Sequence, residues 1–167
     1  MDFYIRSDTD EIHLSATRKQ MPVNFDANRS IEDLDGERWG DPPSESTGLV
    51  QTMHALRKRP LASLTAYELG RLIGQNVGLR WTLPLALEIL RDTVEINNRG
   101  GFYDDDLLTA TLGRKAETWV EFPELANELK DIVTLLEDLP THATREARRF
   151  LKTFEGWDPC HPDGHGT

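Results

Sequence analysis

From Leu79 to Leu90 the chain reads LRWTLPLALEIL, and wound into a helix this segment leaves almost no polar face. A helix that is apolar nearly all round belongs in the middle of a bundle, because no surface position hides all of its sides. That commits the rest of the chain to supplying helices that cover it. Leu87 and Leu90 are expected core residues, and Pro84 is expected in the first turn, where a missing N–H costs nothing. The densest apolar run, Leu83 to Leu90, is broken by Pro84 and Glu88 and is far too short to span a bilayer.

Helical spacing recurs on both sides of this segment. Leu49, Val50, Met53 and Leu56 form an apolar series after Thr47, with Arg57, Lys58 and Arg59 in the last turn and Pro60 as the stop. Thr65 followed by Glu68 has the spacing of a capping box; Leu69, Leu72, Ile73 and Val77 supply the buried face, and Gly78 is expected as the C-cap. After a turn at Asn97 to Gly101, a short helix is expected to begin among Asp104, Asp105 and Asp106. Pro123 opens an amphipathic series of Leu125, Leu129, Ile132, Leu136 and Leu139, ended by Pro140. A last helix from a Thr141 cap turns Ala143, Ala147, Phe150, Leu151 and Phe154 inward, with Arg145, Arg148, Arg149 and Lys152 read as a solvated face.

The expected fold is therefore all-α, an antiparallel bundle of five or six helices. Residues 1–46 are expected to form an acidic N-terminal arm and loop packed on the core, residues 47–155 the helical domain, and residues 156–167 a loose tail. Within the arm, Phe3, Ile5, Ile12 and Leu14 alternate around a polar turn, so a short hairpin or an extended arm is expected there. Residues 30–48 mix acids with Pro42, Pro43, Gly36, Gly40 and Gly48 and read as a loop, which Trp39 is expected to pin to the core.

The charge is uneven. Residues 1–48 carry −6, residues 49–99 carry +3, residues 100–139 carry −7 and residues 140–167 balance, for a net of −10. Direct nucleic-acid binding needs a basic footprint, which this distribution does not offer; it suits either plain solubility or the steering of a basic partner. The opening MDFYIRSDTDE has acids where a secretory signal needs a basic start and an apolar run, and the single cysteine, Cys160, cannot form an internal disulfide. A cytoplasmic protein, neither secreted nor membrane-bound, is the expectation.

No residue set points to catalysis. The aspartates at 104–106 are adjacent and splay apart on entering a helix, so they read as an N-cap and dipole partners rather than a cation site. Cys160, His161 and His165 lack a fourth zinc ligand and a rigid setting. His13, His54 and His142 have no nucleophile in a recognisable motif. No catalytic residue, metal site or cofactor is expected, and the chain is read as a binding protein rather than an enzyme.

Several segments taken in order resemble one family. They are Trp39 with Pro42 and Pro43; Arg57 to Leu61; Leu64, Thr65 and Leu69; Ile73 to Leu79; Pro84 to Leu87; and Tyr103 to Leu108. In spacing and order they are similar to the immunity proteins of bacterial contact-dependent growth inhibition systems, across about half of the chain. Asp105 departs from the pattern, which has glycine there. The resemblance implies a protein that binds and neutralises the toxic C-terminal domain delivered by a neighbouring cell, often a nuclease with a basic groove. On that reading the toxin-binding surface is expected at Glu37, Asp41, Asp104, Asp105 and Asp106. Trp39 and Tyr103 serve either as aromatic anchors or as core residues, and the core reading carries more weight. The alternative is a helical adaptor or regulatory module whose partner is not a toxin.

Overall fold

The computed structural model describes residues 24–97, 105–136 and 139–155. Among them the chain forms α1 (Ile31–Asp35), α2 (Gly48–Arg57), a 3-10 turn (Leu61–Ser63), α3 (Ala66–Gly74), α4 (Leu79–Asn97), α5 (Asp105–Leu112), α6 (Ala116–Glu121), α7 (Pro123–Leu135) and α8 (Thr141–Thr153). The all-helical fold is as expected, with two short helices, α1 and α6, beyond the five or six read from periodicity. The N-terminal hairpin, the turn after Asn97, Tyr103, Asp104 and the tail with Cys160, His161 and His165 lie outside the described residues.

The apolar segment does occupy the centre. α4 packs against α3, α5 and α7, and Leu83, Ala86, Leu87, Leu90 and Val94 are buried on it. It is not covered all round, however. Leu79, Trp81, Leu85 and Ile89 are only half-buried. Trp81 and Pro84 open onto a cleft of about 310 Å³ shared with Phe25, Arg91, Leu125 and Glu128, whose last member pairs with Arg91.

Pro84 is also not in the first turn. Gly78, at φ +59°, turns the chain so that its carbonyl accepts the N–H groups of Trp81 and Thr82, and α4 begins at Leu79. Pro84 therefore sits inside the helix, and the carbonyl of Arg80 loses its usual donor. The same Gly78 lies against Ile31: a Cβ there would meet Ile31 Cδ1 at 2.9 Å. Gly78 thus lies beyond a short turn and not at the end of α3, whose C-cap is Gln75.

The other elements follow from local chemistry. Thr65 caps α3, accepting from the Glu68 N–H while the Glu68 carboxylate accepts from the Thr65 N–H at 2.9 Å. Ser30 and Asp33 make the same reciprocal box at the start of α1. Pro123 stands at the head of α7, but α7 ends at Leu135 rather than running on to Pro140. α3 and α5 approach closely at Gly70, where a Cβ would lie 3.5 Å from Leu107 Cα. α8 lays Ala143, Ala147, Phe150 and Phe154 inward, and Phe150 meets the buried Trp119 of α6 edge-on at 5.4 Å.

Candidate functional site

The acidic loop after α1 is the best-defined surface feature among the predicted site residues, and α2 holds it in place. α2 starts at its Thr47 cap and turns Met53, Leu56 and Arg57 inward. Leu49 and Val50, expected on the same apolar face, are about 40% exposed in its first turn. Arg57 is a correction of a different kind. The sequence places it with Lys58 and Arg59 as a last-turn cation complementing the helix dipole, yet it is buried at 3% exposure.

A buried guanidinium must be paired and hydrogen-bonded, or it costs several kcal/mol. Arg57 Nη1 lies 3.5 Å from Asp35 Oδ2, and Nη2 donates to the Glu37 carbonyl at 3.2 Å. The guanidinium carbon sits 4.0 Å from the centre of the Trp39 ring, a cation–π contact. The Trp39 and His54 rings also meet, their centres 5.0 Å apart and their planes tilted by 60°, and His54 Nδ1 is 2.9 Å from the Gly40 carbonyl, an oxygen that can only accept, which places a proton on that nitrogen. The Trp39 N–H donates to the buried Glu32 carboxylate at 3.3 Å. Asp35 also accepts from the Trp81 indole, so one carboxylate ties α1, α2 and α4 together.

The acids of α1 and of the loop thus fall into two groups. Glu32, Asp33 and Asp35, on α1, are engaged within the chain, Glu32 buried and Asp33 and Asp35 at the surface. Hydrogen bonds from the Ser30 hydroxyl and the Ser30 N–H hold the Asp33 carboxyl below the ordinary aspartate range. Asp41 is exposed and pairs with Lys58 at 3.3 Å, a contact worth little in water. Glu37 and Glu45 are exposed. Of the predicted residues, then, Glu37 and Asp41 stand outward on one pinned loop, and Trp39 is half-buried as its anchor to the protein.

The second predicted cluster is only partly in view. Asp105 opens α5, and Asp106 is exposed in its first turn. Sequence reasoning missed Glu32, Asp35, His54 and Arg57 as the residues that position the loop. The usable signal was spacing: Arg57 follows Met53 by four positions, which puts it on the buried face of α2. Among the described residues no group of His, Cys, Asp and Glu could hold a metal ion, and no helix is long and apolar enough to cross a membrane.

Together these features define an acidic, all-helical domain that displays carboxylates on a loop fastened to its core. The family of CDI immunity proteins matches residues 33–129, more than half of the 167 residues, and the chain belongs to that family. No curated protein and no solved structure matches it. The matched span runs from α1 into α7; it includes the pinned loop and all of α5, and α8 lies beyond it.

Proposed function

We propose that this chain neutralises, by binding rather than by catalysis, the toxic C-terminal domain of a cognate contact-dependent growth inhibition protein, in the cytoplasm of the cell that makes it. The observation that carries this is the acidic loop of residues 36–47, fastened through Trp39 and Arg57 and lying within the span matched by the family. A loop ordered before binding loses little entropy on docking. Its outward carboxylates suit a basic surface, and the substrate groove of a nuclease is one. In that reading the toxin is a nuclease, Glu37, Asp41 and Asp106 face its basic groove, and the net charge of −10 accelerates the encounter.

The test is co-expression with the toxin domain encoded alongside this chain. Protection of the cells, a one-to-one complex on a sizing column, and an association rate that falls steeply between low and physiological salt are the expected results. Growth arrest despite co-expression, with no complex formed, defeats the proposal.

A further inference from the structure

The surface least expected on so acidic a chain lies on α8. Arg145, Arg148, Arg149 and Lys152 are all exposed. At 3.6 residues per turn they fall within about 100° of arc, opposite the buried Ala143, Ala147 and Phe154. The acid beside them is Glu146, whose carboxylate is 3.8 Å from Arg149 Nη1, a loose and solvated contact. Across from this stripe, the connection between α5 and α6 brings up Arg114 and Lys115. Between the two lies a cleft of about 130 Å³ lined by Arg114, Lys115, Trp119, Arg149, Phe150 and Thr153.

A second observation points to a ligand there. Trp119 is 1% exposed, and among the described residues its indole Nε1 has no hydrogen-bond acceptor. Buried indole N–H groups ordinarily find an acceptor. Trp119 is also one of the residues lining the cleft walled by Lys115 and Arg149, where an oxygen acceptor carrying negative charge finds two cations beside it.

We infer that the basic stripe of α8 and the cleft beside Trp119 form a second docking surface, which takes an acidic segment of a partner protein with one Asp or Glu carboxylate seated in the cleft. The dimensions favour an acidic peptide over a nucleic acid. The cations from Arg145 to Lys152 span only about 10 Å along the helix. DNA carries a charge every ~1.7 Å and would run past the stripe onto a chain whose net charge is −10. The cleft holds a carboxylate side chain and not a nucleotide. This inference does not depend on the toxin reading, since it assigns a surface of opposite sign to the acidic loop.

The experiment is a fluorescence-anisotropy titration of the full chain with a labelled, acetylated hexaglutamate peptide at low salt. Saturable one-to-one binding is expected. The Lys115→Ala/Arg149→Ala double variant should bind at least about fivefold more weakly, and Arg38→Ala, in the acidic loop, should bind as the parent does. The chain has four tryptophans, and on saturation one indole N–H resonance should shift as a carboxylate enters the cleft that Trp119 lines. Absence of saturable binding, equal binding by the double variant, peptide binding without an indole shift, or tighter binding of a single-stranded RNA hexamer in the same buffer overturns the inference. Both substituted side chains are largely exposed, and thermal melting of the double variant separates lost binding from lost fold.

Discussion

The Arg57 guanidinium stacks 4.0 Å from the centre of the Trp39 ring while its Nη1 faces the Asp35 carboxylate at 3.5 Å. The charge is thereby hidden without being isolated, and the loop that carries Glu37 and Asp41 gains its attachment. Arg57→Ala is expected to lower stability by about 2–3 kcal/mol in urea denaturation. That is below the range for a fully buried pair, because Asp35 stays partly solvated and keeps its bond to Trp81. Arg57→Lys should recover less than half of the loss, since an ammonium lacks the planar fork that reaches two partners while lying flat on a ring. An alanine variant within ~0.5 kcal/mol of the parent would show that the loop is held by something else.

Gly78 and Gly36 both have positive φ, at +59° and +70°, but only Gly78 is crowded. Gly36→Ala should cost about 1 kcal/mol from backbone strain alone. Gly78→Ala should cost clearly more, about 2–3 kcal/mol, because the new methyl group presses on the fully buried Ile31. Equal melting temperatures for the two variants would remove the steric part of this account.

Pro84 interrupts the hydrogen-bond ladder of α4 one turn and a half from its start. Pro84→Ala restores a donor for the Arg80 carbonyl and is expected to stabilise the chain by about 1–2 kcal/mol, less than the full helix-interior penalty because proline also restricts the unfolded chain. A destabilised alanine variant would mean that the proline ring contributes packing in the cleft beside Trp81 that outweighs the bond.

The Thr65 N–H bonded to Glu68, with further help from Arg59, holds the Glu68 carboxyl below the ordinary glutamate range. A group whose pKa is lower in the folded chain stabilises the fold at pH values above its unfolded pKa, about 4.3, and loses that contribution as the pH falls toward the folded value. Glu68→Gln should therefore be less stable than the parent at pH 7, and the gap should narrow as the pH falls below the unfolded pKa. A gap that stays constant with pH would rule out the charged form as its source. Thr65→Ala, which removes the cap itself, should cost about 1 kcal/mol.

The long elements were legible in the sequence because their signals are local. Thr65 and Glu68 announce α3 by their spacing, Pro123 announces α7, and the apolar run around Leu87 announces the centre of the bundle. What was not legible depended on partners distant in sequence. α1 is five residues long, too short for periodicity, and was absorbed into a segment rich in acids, prolines and glycines, although Ser30 and Asp33 carry its capping signal. The start of α4 was misplaced because the turn at Gly78 is shaped by Ile31, forty-seven residues earlier. Arg57 looked like its neighbours Lys58 and Arg59; its spacing from Met53 sets it apart, and the return of Trp39 onto α2 supplies the ring that covers it. At the candidate site, Glu37 and Asp41 were legible as outward acids, whereas the machinery that aims them was not.

Before α1 the chain is stitched to the segment that follows α2. Ser30 bridges Pro60, the Leu61 N–H donates to the Arg29 carbonyl at 3.1 Å, and the Ala62 N–H donates to the Ala27 carbonyl at 2.8 Å. Everything from α1 through α2, the acidic loop included, hangs between those two stitched ends as a closed ring of chain. For such a ring, doubling the length of a flexible stretch adds only ~0.6 kcal/mol of closure entropy. Residues 41–46, beyond the Gly40 carbonyl that His54 holds, can therefore lengthen, shorten or exchange side chains while the bundle registers almost nothing. On the proposal that this loop meets the toxin, such a mounting lets the contact surface change at little cost to the fold that carries it.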